Sequence, residues 1–338
     1  MQFKKIINKD GENKIKKYEI KDLIANCKDE EVILKVLYSA VCGSDLSNFK
    51  KTHIGEPKVM GHEYSGSLFY CGKNVPGSFR GGTTIYNVQP NVHCNKCTNC
   101  INKNFSLCNE KKCYGYHYEG GYSEYTKVHY KNLYVYENKS TENAICSSLI
   151  EPVACIIKTI KKANIQISNS VLITGAGFTG LSMILYLNKE LKLKQITSVD
   201  IKKINRKKSL ELGANKTYDS VPEDTFDIVI DTTGNTLVIN KALKSLNPSG
   251  KLVIFGVANE KSNISLNAHD VWKKEITILG SRSTNHNHDD AIDFVKRYNE
   301  IFVKMITHRL RLESLENIET IVSQKNYIKG VICREKSL

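Results

Sequence analysis

The stretch Val171-Leu-Ile-Thr-Gly-Ala-Gly-Phe-Thr-Gly180 decides the predicted fold. A strand-like apolar run passes directly into a G-x-G-x-x-G turn, and residues 181–191 can continue as a helix. In such a turn Gly175 makes the tight bend, Gly177 lets the backbone approach a pyrophosphate, and Gly180 lets the helix pack close to the strand. The pattern therefore predicts a dinucleotide site. Its candidate residues are Gly175, Gly177, Phe178, Thr179 and Gly180.

An acid follows where a dinucleotide fold needs one. Residues 196–200 form a second β-like run that ends in Asp200, 25 residues after Gly175. A carboxylate at this place binds the adenosine ribose hydroxyls and repels a 2′-phosphate. The sequence therefore favours NAD over NADP.

Two further apolar runs, at 226–234 and 250–257, are typical of buried parallel strands, and residues 238–246 between them are predicted to form a helix. We add Val257, which ends the second run, to the cofactor candidates. The alternation of strands and helices from 171 to about 278 predicts an α/β fold with a doubly wound parallel sheet.

Length and charge bound the remaining possibilities. A chain of 338 residues exceeds what one core usually carries, so we expect two domains. Lys and Arg exceed Asp and Glu by 14, but the lysines are scattered, which favours a bias of composition; a basic pocket for a phosphorylated substrate stays open. We find no recognition helix and no basic-aromatic interleaving, so we expect no nucleic-acid partner.

We expect neither a signal peptide nor a membrane span, because residues 1–17 lack a following apolar core and the longest apolar run is broken by glycines. The chain has eleven cysteines. In a long chain with a cofactor fold they indicate a reducing cytoplasm, where clustered cysteines usually bind metal.

Four of the cysteines lie within a segment of fifteen residues, 94–108. Four thiolates can hold one tetrahedral Zn²⁺ with no open position, so this site is predicted to be structural. The spacing also differs from that of a zinc ribbon, which needs two separated C-x-x-C pairs. The ligands are Cys94, Cys97, Cys100 and Cys108.

A second metal constellation combines Cys42, from Cys42-Gly-Ser-Asp45, with His62 and Glu63. Thiolate, imidazole and carboxylate suit a catalytic zinc, which has three protein ligands and one open position. Glu151, an acid in an apolar run, is another candidate ligand. Each residue alone has an ordinary alternative: a core thiol, a buried histidine, or an acid that starts a helix before Pro152.

With these motifs the chain, from about residue 30 to 338, resembles the zinc-dependent medium-chain dehydrogenases, in particular the sorbitol and threonine dehydrogenase branch. The resemblance implies a GroES-like, β-barrel-type catalytic domain with both zincs at 1–150 and 279–338, interrupted by a Rossmann NAD-binding domain at 151–278. It also implies a dimer or tetramer. It places Cys42, His62 and either Glu63 or Glu151 on the catalytic zinc, and which glutamate binds directly stays open.

Departures from the family pattern bear on the proton path and the substrate. Ser47 stands where the family often has the outer histidine of a proton relay, whereas Ser44 matches the inner hydroxyl. Ser283 and Thr284 replace an Arg-Tyr pair that sorbitol dehydrogenases tend to carry, so we expect a substrate other than sorbitol. The candidate substrate residues are Tyr114, Tyr118, Arg282, Ser283 and Thr284.

We therefore expect an NAD-dependent dehydrogenase of a polyol, sugar or cyclitol, with Ser44, Glu63 and Glu151 as catalytic residues. Aromatic rings with polar tips beside Arg and Asn suit a polyhydroxylated small molecule. A sugar phosphate and a threonine-like amino alcohol are the alternative substrates. A zinc- and nucleotide-binding regulator without turnover is the alternative from another class.

Overall fold

The computed structural model describes residues 1–9, 12–49, 59–79, 82–136 and 141–334, without the side chains of residues 47–49, 141 and 142. The chain folds into two compact units: Met1–Ala154 with Thr284–Leu338, and Cys155–Ser283. We call them the discontinuous unit and the central unit. No helix of the described residues is both long and apolar enough to cross a membrane.

The strands of the described chain, in order, are β1 (Gln2–Lys9), β2 (Glu12–Glu19), β3 (Glu31–Ala40), β4 (Glu63–Cys71), β5 (Ile85–Val88), β6 (Asn91–Val92), β7 (Lys112–Cys113), β8 (Tyr125–His129), β9 (Leu133–Tyr136), β10 (Ser170–Thr174), β11 (Gln195–Val199), β12 (Lys216–Tyr218), β13 (Phe226–Asp231), β14 (Leu246–Ile254), β15 (Thr277–Gly280), β16 (Ile306–Leu310) and β17 (Lys329–Cys333).

The α-helices are α1 (Ile20–Ala25), α2 (Gly43–Phe49), α3 (Thr98–Ile101), α4 (Thr141–Ala144), α5 (Ile150–Ala163), α6 (Phe178–Lys189), α7 (Lys203–Glu211), α8 (Thr236–Lys244), α9 (Ala268–Lys274), α10 (His288–Arg297), α11 (Asn299–Met305) and α12 (Ile318–Val322). Short 3₁₀ helices cover Phe105–Leu107, Tyr130–Asn132, Ile145–Leu149 and Leu312–Asn317.

The central unit contains a six-stranded sheet in the order β12-β11-β10-β13-β14-β15, in which all neighbouring strands are parallel. Numbered within the unit this order is 3-2-1-4-5-6, the doubly wound order of dinucleotide-binding folds. The fold class predicted from the glycine turn is thereby confirmed. The last strand, Thr277–Gly280, crosses the expected domain boundary at 278, so the central unit extends to Ser283.

Burial on both faces of this sheet explains its continuous apolar strands. Along β10, Val171 and Ile173 join one hydrophobic cluster, whereas Leu172 joins another with Ile239 and Leu246. Successive side chains of a strand point to opposite faces, so a sheet covered on both sides needs apolar residues at every position.

The discontinuous unit is organised by a seven-stranded sheet in the order β16-β17-β3-β4-β5-β9, with β8 also paired to β3. The C-terminal strand β17 runs antiparallel to β3 and pairs Val331 with Ala40. Ala40 in turn pairs with Glu63 of β4. The ends of three strands distant in sequence therefore meet at one edge, and Cys42 lies just beyond β3.

Candidate active site

The structure brings Cys42, His62 and Glu63 together. One candidate ligand atom from each residue lies within 4.8 Å of the other two. Ligand atoms of a tetrahedral zinc lie about 3.3–3.8 Å apart, so a small contraction would complete three ligands of a zinc site. The cause is the strand pairing, because β3 ends two residues before Cys42 and β4 begins at Glu63.

Asp45 orients His62. Its carboxylate, fully buried, accepts a hydrogen bond of 2.6 Å from Tyr122 OH and lies 3.1 Å from Nδ1 of His62. Because a carboxylate only accepts, Nδ1 donates and Nε2 keeps its lone pair for a metal, which is the usual arrangement of a metal-binding histidine. This role of Asp45 was not predicted from the Cys42-Gly-Ser-Asp45 motif.

Lys329 of β17 pairs with Glu63. Its Nζ lies 2.6 Å from Glu63 Oε2, and both side chains are buried. Burial disfavours the ammonium, but the Glu63 carboxylate and the Cys42 sulfur raise the pKa of Lys329 to about 12. The lysine is therefore charged at neutral pH. Lys329 was not predicted from the sequence, because no short motif identifies it.

Glu151 is not a member of the ligand group around Cys42. It is buried in the first turn of α5. Burial raises the pKa of the Cys113 thiol to about 12, and the charge of Glu151 adds to that effect. Of the two candidate glutamates, the geometry favours Glu63.

Two hydroxyl groups lie beside Cys42. Ser44 Oγ donates to Cys42 Sγ over 3.2 Å and lies 2.9 Å from Tyr116 OH. Burial raises the pKa of Tyr116 above its usual range, so its hydroxyl keeps its proton at neutral pH. The side chain of Ser47 lies outside the described residues.

The four clustered thiols also converge. Cys94, Cys97, Cys100 and Cys108 offer Sγ atoms that all lie within 4.8 Å of one another. The backbone N–H groups of Cys94 and Cys97 point at Cys108 Sγ and Cys94 Sγ, at 3.3 and 3.4 Å. Four sulfur ligands fill a tetrahedral zinc, so this arrangement fits a structural ion.

Two of the candidate substrate residues are buried and form hydrogen bonds within the protein. Thr284 is fully buried and accepts a hydrogen bond from Asn91 Nδ2 at 2.9 Å. Tyr114 belongs to a hydrophobic cluster, and its hydroxyl accepts from the N–H of His129. Tyr114 and Tyr118 also line a groove of about 1220 Å³ whose walls do not include Cys42, His62 or Glu63. Arg282 is exposed and Ser283 has a positive φ of 60°.

The glycine turn of the central unit has the geometry of a cofactor cradle. Gly175 has a φ of +90°, and a Cβ at Gly180 would lie 1.9 Å from the carbonyl oxygen of Gly175. A Cβ at Gly177 would meet no protein atom within 4 Å. The protein thus needs two of the glycines for its own packing, whereas the space at Gly177 suits a pyrophosphate at the N-terminus of α6.

Asp200 lies at the carboxyl end of β11. Its carboxylate accepts hydrogen bonds from the N–H groups of Ala176 and Lys202 and from Asn205 Nδ2. Val257, at 81% exposure, follows β14, and Phe178 and Thr179 begin α6. This edge carries the acid and the glycine turn together, as a nucleotide site requires.

Comparisons with known proteins agree with this architecture. The family described as "Alcohol dehydrogenase GroES-like domain" matches residues 28–138, and "Zinc-binding dehydrogenase" matches residues 180–297. The chain belongs to the zinc-dependent medium-chain dehydrogenases.

Its relatives include polyol dehydrogenases. The chain is 26% identical to D-altritol 5-dehydrogenase of Agrobacterium fabrum, with 86% of this chain and 88% of that protein covered. It is 27% identical to D-arabitol-phosphate dehydrogenase of Enterococcus avium, with 90% of each covered. An alcohol dehydrogenase of Escherichia coli CFT073 in complex with NADH has the same fold, with a TM-score of 0.88, 23% identity, and 98% and 99% of the two chains covered.

Proposed function

We propose that the protein transfers a hydride from a secondary alcohol of a polyol, sugar or cyclitol to NAD, with zinc at Cys42, His62 and Glu63. The observation that carries the proposal is the convergence of these three residues with the Ser44 hydroxyl beside Cys42. The reaction converts the alcohol and NAD⁺ to a ketone, NADH and a proton.

The residues around the metal site divide the chemical work. When bound, Zn²⁺ lowers the pKa of a hydroxyl group toward neutrality, and NAD accepts the hydride. Ser44 passes the hydroxyl proton outward, and Tyr116 OH, 2.9 Å away, orients the Ser44 hydroxyl. Asp45 and Tyr122 hold the imidazole of His62 in the tautomer that binds metal.

The polyhydroxylated substrate class is supported by relatives that act on altritol and on arabitol phosphate. A phosphorylated polyol is the alternative substrate. It is supported by the relative that acts on arabitol phosphate and by the net charge of +14. The contacts of Thr284, Tyr114 and Tyr118 argue against direct substrate roles, so Arg282 and Ser283 remain the first of that group to test.

The broader assignments follow from the same proposal. We expect NAD to bind the 151–278 region and both zincs to bind residues of the discontinuous unit. All eleven cysteines are free in the structure, which supports a reducing compartment such as the cytoplasm. A homo-oligomer, dimer or tetramer, is expected, and light scattering of the purified protein measures it.

The deciding experiment measures NAD reduction by the zinc-loaded protein against polyols, cyclitols, their phosphates and L-threonine. We expect turnover with at least one polyhydroxylated alcohol and its loss in Cys42→Ser. Turnover with L-threonine alone would establish the amino-alcohol alternative. If the protein holds two zincs and binds NADH, but none of the alcohols supports NAD reduction, it would instead be a regulator.

A further inference from the structure

The ion pair between Lys329 and Glu63 lies inside the metal-binding region. The two residues are 4% and 1% exposed, and Nζ and Oε2 lie 2.6 Å apart. Glu63 is therefore shared between two cations when zinc is bound, because its carboxylate also belongs to the group formed with Cys42 and His62. The lysine and the metal compete for the same negative charge.

The backbone fixes Lys329 independently of any metal. Gly330, the residue after Lys329, is held by two hydrogen bonds. Its carbonyl accepts from the N–H of Val41 at 2.9 Å, and its N–H donates to Tyr327 OH at 3.0 Å. The strand register continues this pairing through Val331 and Ala40. Lys329 thus enters the site from a strand held on both sides, so its backbone cannot follow Glu63 toward the metal without breaking the sheet.

Electrostatics gives the direction of the effect. A buried carboxylate that loses its compensating cation becomes strongly unfavourable, and a nearby metal ion relieves that cost. Removing the lysine charge should therefore strengthen the hold of Glu63 on zinc. A carboxylate that bound the metal through both oxygens would also crowd the one position that three protein ligands leave open.

We propose that Lys329 is a positioning residue that restrains Glu63, so that this glutamate binds the catalytic zinc weakly and one ligand position stays open for substrate. The inference rests on the proposed function, because it assumes that zinc occupies the Cys42 group. It assigns to the C-terminal strand a direct part in setting the affinity of the metal.

The test compares the zinc affinity of the wild type with that of Lys329→Met, measured by competition with a chromogenic chelator. We expect the variant to bind the catalytic zinc about 10- to 100-fold more tightly while its turnover falls by a similar factor. The magnitude is the change in metal affinity that follows replacement of a ligand's partner, here with the opposite sign because the partner competes with the metal. The metal-free variant should melt at a lower temperature than the metal-free wild type.

Three further variants isolate the cause. Lys329→Arg keeps the charge and should stay close to the wild type. Lys4→Met removes a lysine from a partly exposed pair with Glu313 and should leave zinc affinity unchanged. In the Glu63→Gln background, Lys329→Met should no longer tighten zinc binding; this double variant has no uncompensated carboxylate and stays informative if the single variant fails to fold.

The outcomes separate this inference from the function on which it rests. Zinc affinity that is unchanged or weaker in Lys329→Met, with two zincs bound by the wild type, would overturn the role of Lys329 alone. The same tightening in the Glu63→Gln background would also overturn it, because the effect would not pass through Glu63. A wild type that binds only the zinc of the four cysteines would instead defeat the proposed function.

Discussion

The hydroxyl group of Ser44 contacts both Cys42 Sγ and Tyr116 OH. We predict that Ser44→Ala lowers kcat by about 10²- to 10⁴-fold, the usual size of a general acid-base contribution. Tyr116→Phe removes one hydrogen bond worth about 0.5–1.5 kcal/mol, so kcat should fall only about 2- to 13-fold.

Steady-state kinetics on zinc-matched samples checks both values, and Ser47→Ala serves as a control that should have little effect. If Ser44→Ala is nearly silent while Ser47→Ala is severe, the proton leaves by another route. Glu63 and Glu151 would then be the next residues to replace.

The charge of Asp200 should set the choice of cofactor. Asp200→Asn keeps one oxygen acceptor, for the N–H of either Ala176 or Lys202, which now bind different carboxylate oxygens, and it removes the repulsion of a 2′-phosphate. We expect the ratio of kcat/KM for NAD over NADP to fall at least about tenfold, which corresponds to about 1.4 kcal/mol.

Asp219→Asn, at an exposed position of the central unit, is the matched control and should leave the ratio unchanged. A wild type that prefers NADP would contradict the prediction. It would mean that the positive charges of Lys202, Lys203 or Arg206 outweigh the carboxylate.

Single residues also show where reasoning from the sequence ends. Cys42, His62 and Glu63 were predicted because each has a chemical identity suited to zinc, and the structure brings them together. Two contacts of this site were not predicted, because each joins residues that are far apart in the sequence. Asp45 and Tyr122 are separated by 77 residues, and Glu63 and Lys329 by 266. Only the strand pairing brings such residues into contact.

Among the elements, the glycine turn gives two substitutions with opposite consequences. In Gly180→Ala the new Cβ would lie 1.9 Å from the Gly175 carbonyl, so the turn must move and the protein should lose stability. In Gly177→Ala the Cβ enters open space at a φ of −70°, so folding should be preserved while NADH binding weakens.

Thermal melting and NADH fluorescence titration distinguish the two variants. Gly177→Ala should melt within a few degrees of the wild type but bind NADH at least about tenfold more weakly, because the methyl group would occupy pyrophosphate space. Equal NADH affinity in Gly177→Ala and the wild type would exclude this turn as the phosphate cradle.

Element types were predictable in the central unit, but their ends were not. The expected helix at 238–246 is Thr236–Lys244, because Asn235 caps it by accepting from the N–H groups of Leu237 and Val238. The strand expected to begin at 250 begins at Leu246, which already pairs with Phe226 across a register shift. Caps and irregular pairing depend on neighbours that periodicity does not contain.

For the whole molecule we predict two zinc ions per chain with different lability. The site at Cys42 keeps an open position and should lose its metal first to a mild chelator, which abolishes turnover while the fold survives. Removal of the second ion should then unfold the segment around Cys94–Cys108. Elemental analysis and circular dichroism follow the two steps, and one zinc or none in purified wild type would contradict the prediction.

Where the chain returns, Thr284 and Asn285 make hydrogen bonds within the protein, although Thr284 was predicted to contact the substrate. Thr284 bonds to Asn91, and Asn285 Nδ2 donates to the carbonyl of Lys103 while its Oδ1 accepts from the Ser106 N–H. The Asn285 side chain therefore binds the segment at 94–108, which carries the four clustered cysteines. From the sequence alone these polar side chains had the composition of a pocket wall, because composition does not reveal which way a side chain points.

The pairing of β17 with β3 has a consequence for biosynthesis. During translation the central unit emerges complete at Ser283, whereas β3 waits for a neighbour that is made almost three hundred residues later. Until Lys329 leaves the ribosome, Glu63 has no ammonium partner and should hold zinc most firmly. The nascent chain would then acquire its metal early, and the later pairing of β17 with β3 would loosen Glu63 for turnover.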